Sequence, residues 1–209
     1  MASIRRLVAL GAALALTLSA ATAFADSGLP LWQRVILGGE YTGFKPQPFP
    51  PKQFNLSGFV NETSGFFTRI TKASLSREMR RDGFRAALLE QLSGSAGHDA
   101  TSAVLLFSSP AGAKRAMEFF YNDSLRPCPH TCTVSAFEFS VEKIPGAKGS
   151  YRARYTADGP KPAQQRFELD SVDYTEGPYL YSLISNGKPD EVDRGALIDA
   201  AKRQYERVK

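Results

Sequence analysis

Between Ala103 and Phe120 the chain reads AVLLFSSPAGAKRAMEFF. The apolar run Ala103–Phe107 predicts a buried strand. Ser109 then stands where a helix wants its N-cap, and Pro110 occupies the first turn, where a missing N–H costs nothing. Beyond them Ala113, Ala116, Met117 and Phe120 recur at spacings of three and four, the stripe of a helix with one face on a core. The rest of the chain must supply strands beside this unit and a layer for its helix to join.

The C-terminal half reads as those strands. Thr133–Lys143 carries Phe137, Phe139 and Val141 on one face, and IPGAKG after it is a turn on the strength of both Pro and Gly. Ser150–Thr156, Arg166–Tyr174 and Tyr179–Ile184 are three further strand candidates. Asp158-Gly159-Pro160 and Glu176-Gly177-Pro178 connect them, and short connectors imply an antiparallel meander. Asp190–Val208 closes the chain as a helix with Leu197, Ala201, Tyr205 and Val208 on one face. Its acids, Asp190, Glu191 and Asp193, stand at the N-terminal end and its bases, Lys202, Arg203 and Arg207, at the C-terminal end.

The N-terminal half is less regular. Leu29–Gly39 holds the only Trp and reads as a short amphipathic turn or strand docked on the core. Tyr41–Lys52 contains four prolines and is expected to be an extended surface connector pinned by Phe44, Phe49 and Phe54. A strand is expected near Phe66–Thr71 and a helix start after Ser74 or Ser76. Arg77–Leu92 has helical composition, yet Gly83 interrupts it, and Phe84, Ala86, Leu88 and Leu92 fit period two. A short helix ended by Gly83, followed by a strand that pairs with Ala100–Phe107, is the reading adopted. Together these elements predict an α+β fold, a single antiparallel sheet of about five to seven strands with two or three helices packed on one face.

Residues 1–25 have the layout of an export signal. Arg5 and Arg6 precede an apolar stretch from Leu7 to Ala23, and Ala23-Phe24-Ala25 fits a cleavage site. The paired arginines leave the general and twin-arginine routes both open. A cleaved leader places the mature chain outside the cytoplasm, secreted or periplasmic, with no membrane span after Ala25. The expected organisation is a signal peptide over 1–25, an extended Pro-rich segment over 26–54 and one α+β domain over 55–209. The net charge of +5 includes the two leader arginines and is too diffuse to call for nucleic acid. The densest basic cluster, Arg77, Arg80 and Arg81, reads as a solvated face.

The combination of VILGGEYTGF, RRDGF, VLLFSSPAGAKRA, IPGAKG, a Tyr-rich strand and a terminal helix ending QYERV resembles a loosely defined group of exported bacterial proteins. These are mostly actinobacterial, are sometimes described as sensor-like, and are similar in fold to the PsbP/Mog1 superfamily. The resemblance implies fold and compartment. It carries no catalytic residues, and it implies that the segment matching Phe84–Leu92 is a strand.

Few residues suit catalysis. Cys128 and Cys132, the only cysteines, lie in PCPHTC. In an exported chain they are expected to pair as a disulfide, stabilising by about 2 kcal/mol through so short a loop. A redox pair, or a metal site using His98 and His130, is the alternative. Both histidines are expected to face solvent, and no G-x-S-x-G occurs. Glu168 and Asp170 share a strand face, roughly 7 Å apart, a spacing that a hydrolase with a carboxylate site could use and that an exposed sheet face also produces. No phosphate loop, dinucleotide fingerprint or calcium loop is present, so no cofactor and no metal is expected. Tyrosines are the hint of binding. Tyr151, Tyr155, Tyr174, Tyr179 and Tyr181 fall in the meander near Arg152 and Arg154, and such a set can line a shallow site or simply pack a sheet. The expectation is a non-enzymatic envelope-associated binding or sensor-like domain, whose partner is a small molecule, a glycan or an envelope protein. A secreted hydrolase and a redox or metal protein are the alternatives.

Overall fold

A computed structural model describes residues 29–209 apart from 37–38, 48–49, 65–69, 95–97, 126–131, 157–163 and 189–191; for 132–135, 153–156 and 164–167 it describes the backbone alone. The strands are β1 (Lys45–Pro46), β2 (Lys52–Phe54), β3 (Phe84–Ser93), β4 (Asp99–Phe107), β5 (Cys132–Phe139), β6 (Lys148–Thr156), β7 (Gln164–Glu176) and β8 (Tyr179–Gly187). They form one antiparallel sheet in the order β1-β3-β4-β8-β7-β6-β5, with β2 also paired to β3. The hairpin β3–β4 and the meander β5–β8 are thus joined through β4 and β8, the first half of the chain against the last strand.

The helices are α1 (Leu56–Thr63), α2 (Lys72–Arg81), α3 (Pro110–Ser124) and α4 (Arg194–Val208). Alternation along each strand sorts the core into two layers. Ala87, Ala103, Leu105, Phe107 and Leu180 face α1, α2 and α3, meeting Phe59, Leu75, Met79, Ala113, Ala116 and Met117. Their neighbours Leu88, Leu92, Val104, Tyr181 and Leu183 point the other way, against Leu197, Ala200, Ala201 and Val208 of α4 and against Val35, Ile36 and Tyr41. The architecture is the expected α+β class with three helices on one face. Added to it are an eighth strand and a second, partial cover on the opposite face, made by α4 and the chain before β1.

The strand-to-helix unit forms as its sequence dictates: Ser109 Oγ accepts from Gly112 N–H at 3.2 Å, and Pro110 opens α3. Gly83 ends α2 with φ +80°, a left-handed conformation that glycine adopts without penalty, and β3 follows at once. Other boundaries correct the sequence reading. Residues read as weakly alternating from Gly58 begin inside helix α1, whose cap is Asn55, with its side-chain oxygen on Gly58 N–H at 2.9 Å. α2 starts at Lys72, before either Ser74 or Ser76, because Thr71 caps it. Most of the strand expected at Phe66–Thr71 lies outside the described residues, and so does the proposed leader. Tyr41, read as part of a surface connector, is buried at 2 % exposure.

Candidate ligand-binding site

The face of the sheet beneath α4 holds most of the expected site residues, but it divides them. Leu88, Val104, Tyr181 and Tyr174 form one cross-strand row. Tyr174 and Tyr181 stack with ring centroids 4.8 Å apart, and Tyr205 of α4 meets Tyr174 edge-on at 5.7 Å. Arg34 comes down from the N-terminal segment. Its guanidinium lies 3.9 Å over the Tyr179 ring, and its Nη1–H donates to the Tyr181 hydroxyl at 3.0 Å. Gln204 in turn donates to the Arg34 carbonyl at 2.7 Å. Arg207 donates to both carboxylate oxygens of Glu40 and to the carbonyls of Gln33 and Val35. Burial pushes the Tyr181 hydroxyl up to about 12 and Tyr174 well above its usual value. Tyr174 and Tyr181 are wholly buried. These tyrosines therefore bind the chain to itself, fastening α4 and residues 33–35 to the sheet.

Tyr151 lies elsewhere on the same face. Its row is Leu92, Ala100, Ser185, Asp170, Tyr151 and Phe137, four residues along β8 from the Tyr181 row and so about 13 Å away. Here the sheet approaches the β5 edge. Phe137 is 45 % exposed and stacks on Tyr151 at 4.5 Å. The Tyr151 hydroxyl donates to Glu168 at 2.9 Å. Arg194, the first residue of α4, sets its guanidinium 4.8 to 5.3 Å from the rings of Phe139, Phe137 and Tyr151. It also donates two bonds to Asp170, at 2.9 and 3.3 Å. Burial raises the Asp170 carboxyl, and Arg194 pulls against that rise. The result is a braced aromatic surface: one exposed ring, a second behind it, and a cation held in place by a buried carboxylate. The side chain of Tyr155 lies outside the described residues.

The acids do not gather in one cleft. Asp170 is held by Arg194, and Glu168 receives Tyr151. On the other sheet face the hydroxyls of Ser150 and Ser171 lie 2.8 Å apart, and Ser171 donates to buried Asp173 at 3.3 Å. Burial lifts Asp173 to about 6 against the hydrogen bonds of Ser182 and Ser171. His98 corrects its expectation. Its ring packs near Phe44, with centroids 5.7 Å apart, and against the bare Cα of Gly187, with Nε2 buried. The missing Cβ of Gly187 leaves room for the ring. Cys128 and His130 lie outside the described residues, as does the Cys132 side chain, so their pairing stays an expectation. Among the described residues no group of His, Cys, Asp and Glu is arranged to hold a metal, and no helix is long and apolar enough to cross a membrane. Sequence reasoning missed Phe137, Arg194 and Asp170 as a unit. The signal available was Phe137 and Phe139 alternating on a strand at the end of the meander.

An α+β domain with one antiparallel sheet, helices on both faces and an aromatic patch by one edge is the class this structure defines. Its fold is similar to that of the extracellular domain of PknH from Mycobacterium tuberculosis, at 13 % identity and TM-score 0.50 over 80 % of this chain and 85 % of that one. A Rv0999 ortholog from Mycobacterium smegmatis aligns at 10 % identity and TM-score 0.46, over 80 % of this chain and 90 % of that one. No family model and no curated protein matches the chain.

Proposed function

We propose that this chain is an exported, non-enzymatic binding domain of the cell envelope, sensor-like in kind, and that it takes its partner on the Phe137–Tyr151 surface. The observation that carries the reading is Phe137: a large ring left nearly half exposed, stacked on Tyr151 and backed by the Arg194–Asp170 pair. An isolated exposed Phe needs no explanation, but one built on a rigid aromatic and ionic base is preorganised for contact. The flat ring and the adjoining Glu168 suit the apolar face of a sugar or a cationic side chain, consistent with a glycan or an envelope protein as partner. The leader-like N-terminus, the resemblance to exported actinobacterial proteins and the fold shared with an extracellular domain all support an extracytoplasmic address. In this reading residues 1–25 are removed, and Cys128 and Cys132 form a disulfide.

The test replaces Phe137 and Tyr151 together by Ala and measures retention on envelope fractions. A fall of roughly tenfold is expected for loss of a paired aromatic anchor. Unchanged retention by a double variant with native circular dichroism rejects this surface as the binding site.

A further inference from the structure

Helices α1 and α2 enclose a groove of about 400 Å³ on the sheet face opposite the aromatic patch. It is within the size range of small-ligand sites. Its floor is apolar, formed by Leu56 and Val60, and its rim is polar, with Ser57, Asn61 and the cap residue Asn55 on the α1 side and Lys72, Ser76 and Arg80 from α2. Lys72 and Arg80 are eight residues apart on one helix and so stand on the same stripe.

The hydrogen-bonding state of the rim decides what the groove can take. The Asn55 side-chain oxygen is engaged by Gly58 N–H at 2.9 Å, as the α1 cap. The Asn61 side-chain oxygen is engaged by Lys72 Nζ at 3.1 Å. In each amide the oxygen is thus engaged and the NH₂ is the group left to donate. The Arg80 guanidinium makes no ion pair or hydrogen bond among the described residues, whereas its neighbours Arg77 and Arg81 both pair with Glu78. No carboxylate lines the groove. The rim thus offers two cations, two amide donors and two hydroxyls, with its amide acceptors already occupied.

We infer that the α1–α2 groove binds an oxyanion, a phosphate ester or carboxylate carried on a small, partly apolar body. The anion sits between Arg80 and Lys72, and its carrier lies over Leu56 and Val60. Arg80 supplies a planar fork for two oxygens, and Lys72 a point charge held in position by Asn61. This site is independent of the Phe137 surface, so either stands if the other fails.

The test titrates ¹⁵N-labelled mature protein with inorganic phosphate and with glycerol 3-phosphate, following amide shifts. A parallel arm measures sedimentation with vesicles of phosphatidylglycerol and with vesicles of phosphatidylcholine. Saturable shifts confined to residues 55–61 and 72–80, weakened about tenfold or more by Arg80→Gln and unaltered by Lys114→Gln on α3, are the expected result. Arg80-dependent sedimentation with phosphatidylglycerol vesicles alone assigns the anion to a lipid headgroup. Binding of glycerol 3-phosphate without sedimentation assigns it to a soluble ester. Shifts that never saturate, that spread over all basic surfaces, or that survive Arg80→Gln overturn the inference. Both substitutions fall on exposed helical positions, so loss of folding does not confound them.

Discussion

At the scale of single residues, Asp173 is the group whose environment most opposes its ordinary chemistry. It is buried under α3 with only serine hydroxyls, among its named partners, to stabilise a charge, and its pKa rises from 3.8 to about 6. A carboxyl raised in the folded state binds its proton more tightly there than in the unfolded chain. Its contribution to stability is therefore greatest below about pH 4 and is lost as pH climbs towards 6. The full swing is on the order of 3 kcal/mol. Asp173→Asn keeps the shape and removes the titration. We expect the variant to be more stable than the parent at pH 7, with the gap closing towards pH 4, measured as urea midpoints across that range. A constant difference between the two proteins at every pH refutes the assignment.

Among elements, the contact that locks the helical layer together is α3 against the turn that ends α2. Gly112, in the first turn of α3, has its Cα beside the Asp82 carbonyl, and a Cβ there would fall inside contact distance of that oxygen. Asp82 also accepts from Arg115 of α3 at 2.8 Å. Gly→Ala inside a helix ordinarily stabilises by about 0.5–1 kcal/mol. Here the sign reverses, and Gly112→Ala is expected to cost about 1–3 kcal/mol by thermal or urea denaturation, as overpacked sites do. The same elements show what a sequence makes legible. Ser109-Pro110 is a local signal with a local cause, so α3 follows from it directly, and the apolar run Ala103–Phe107 gives β4; β3 has helical composition, and only the break at Gly83, its pairing with β4 and the family resemblance favour a strand there. α1 escaped because Gly58, Val60 and Thr63 are weak helix formers and its cap, Asn55, sits behind a Pro-rich run. Tyr174 and Tyr181 misled for a different reason. A period-two strand presents Tyr174 and Tyr181 identically whether α4 covers them or solvent does, and the cover comes from residues 29–36, Tyr41 and 194–208, remote in sequence. The Phe137 surface required knowing that Arg194 reaches from the start of α4 to the end of the sheet.

For the whole molecule, the proposed export to an oxidising compartment predicts that no free thiol remains. Titration of the native protein with a thiol reagent is expected to find none until a reductant is added, and then two. Two reactive thiols in the unreduced protein contradict both the disulfide and the compartment reading. The path of the chain adds one further consequence. β8 lies between β4 and β7, so the hairpin and the meander share no ladder without it. A ribosome or a translocation pore releases residues in numerical order, and it delivers this central strand almost last. Until Tyr179–Gly187 emerges, the inner edges of β4 and β7 have no strand to pair with, so the sheet can close only when nearly the whole chain is out.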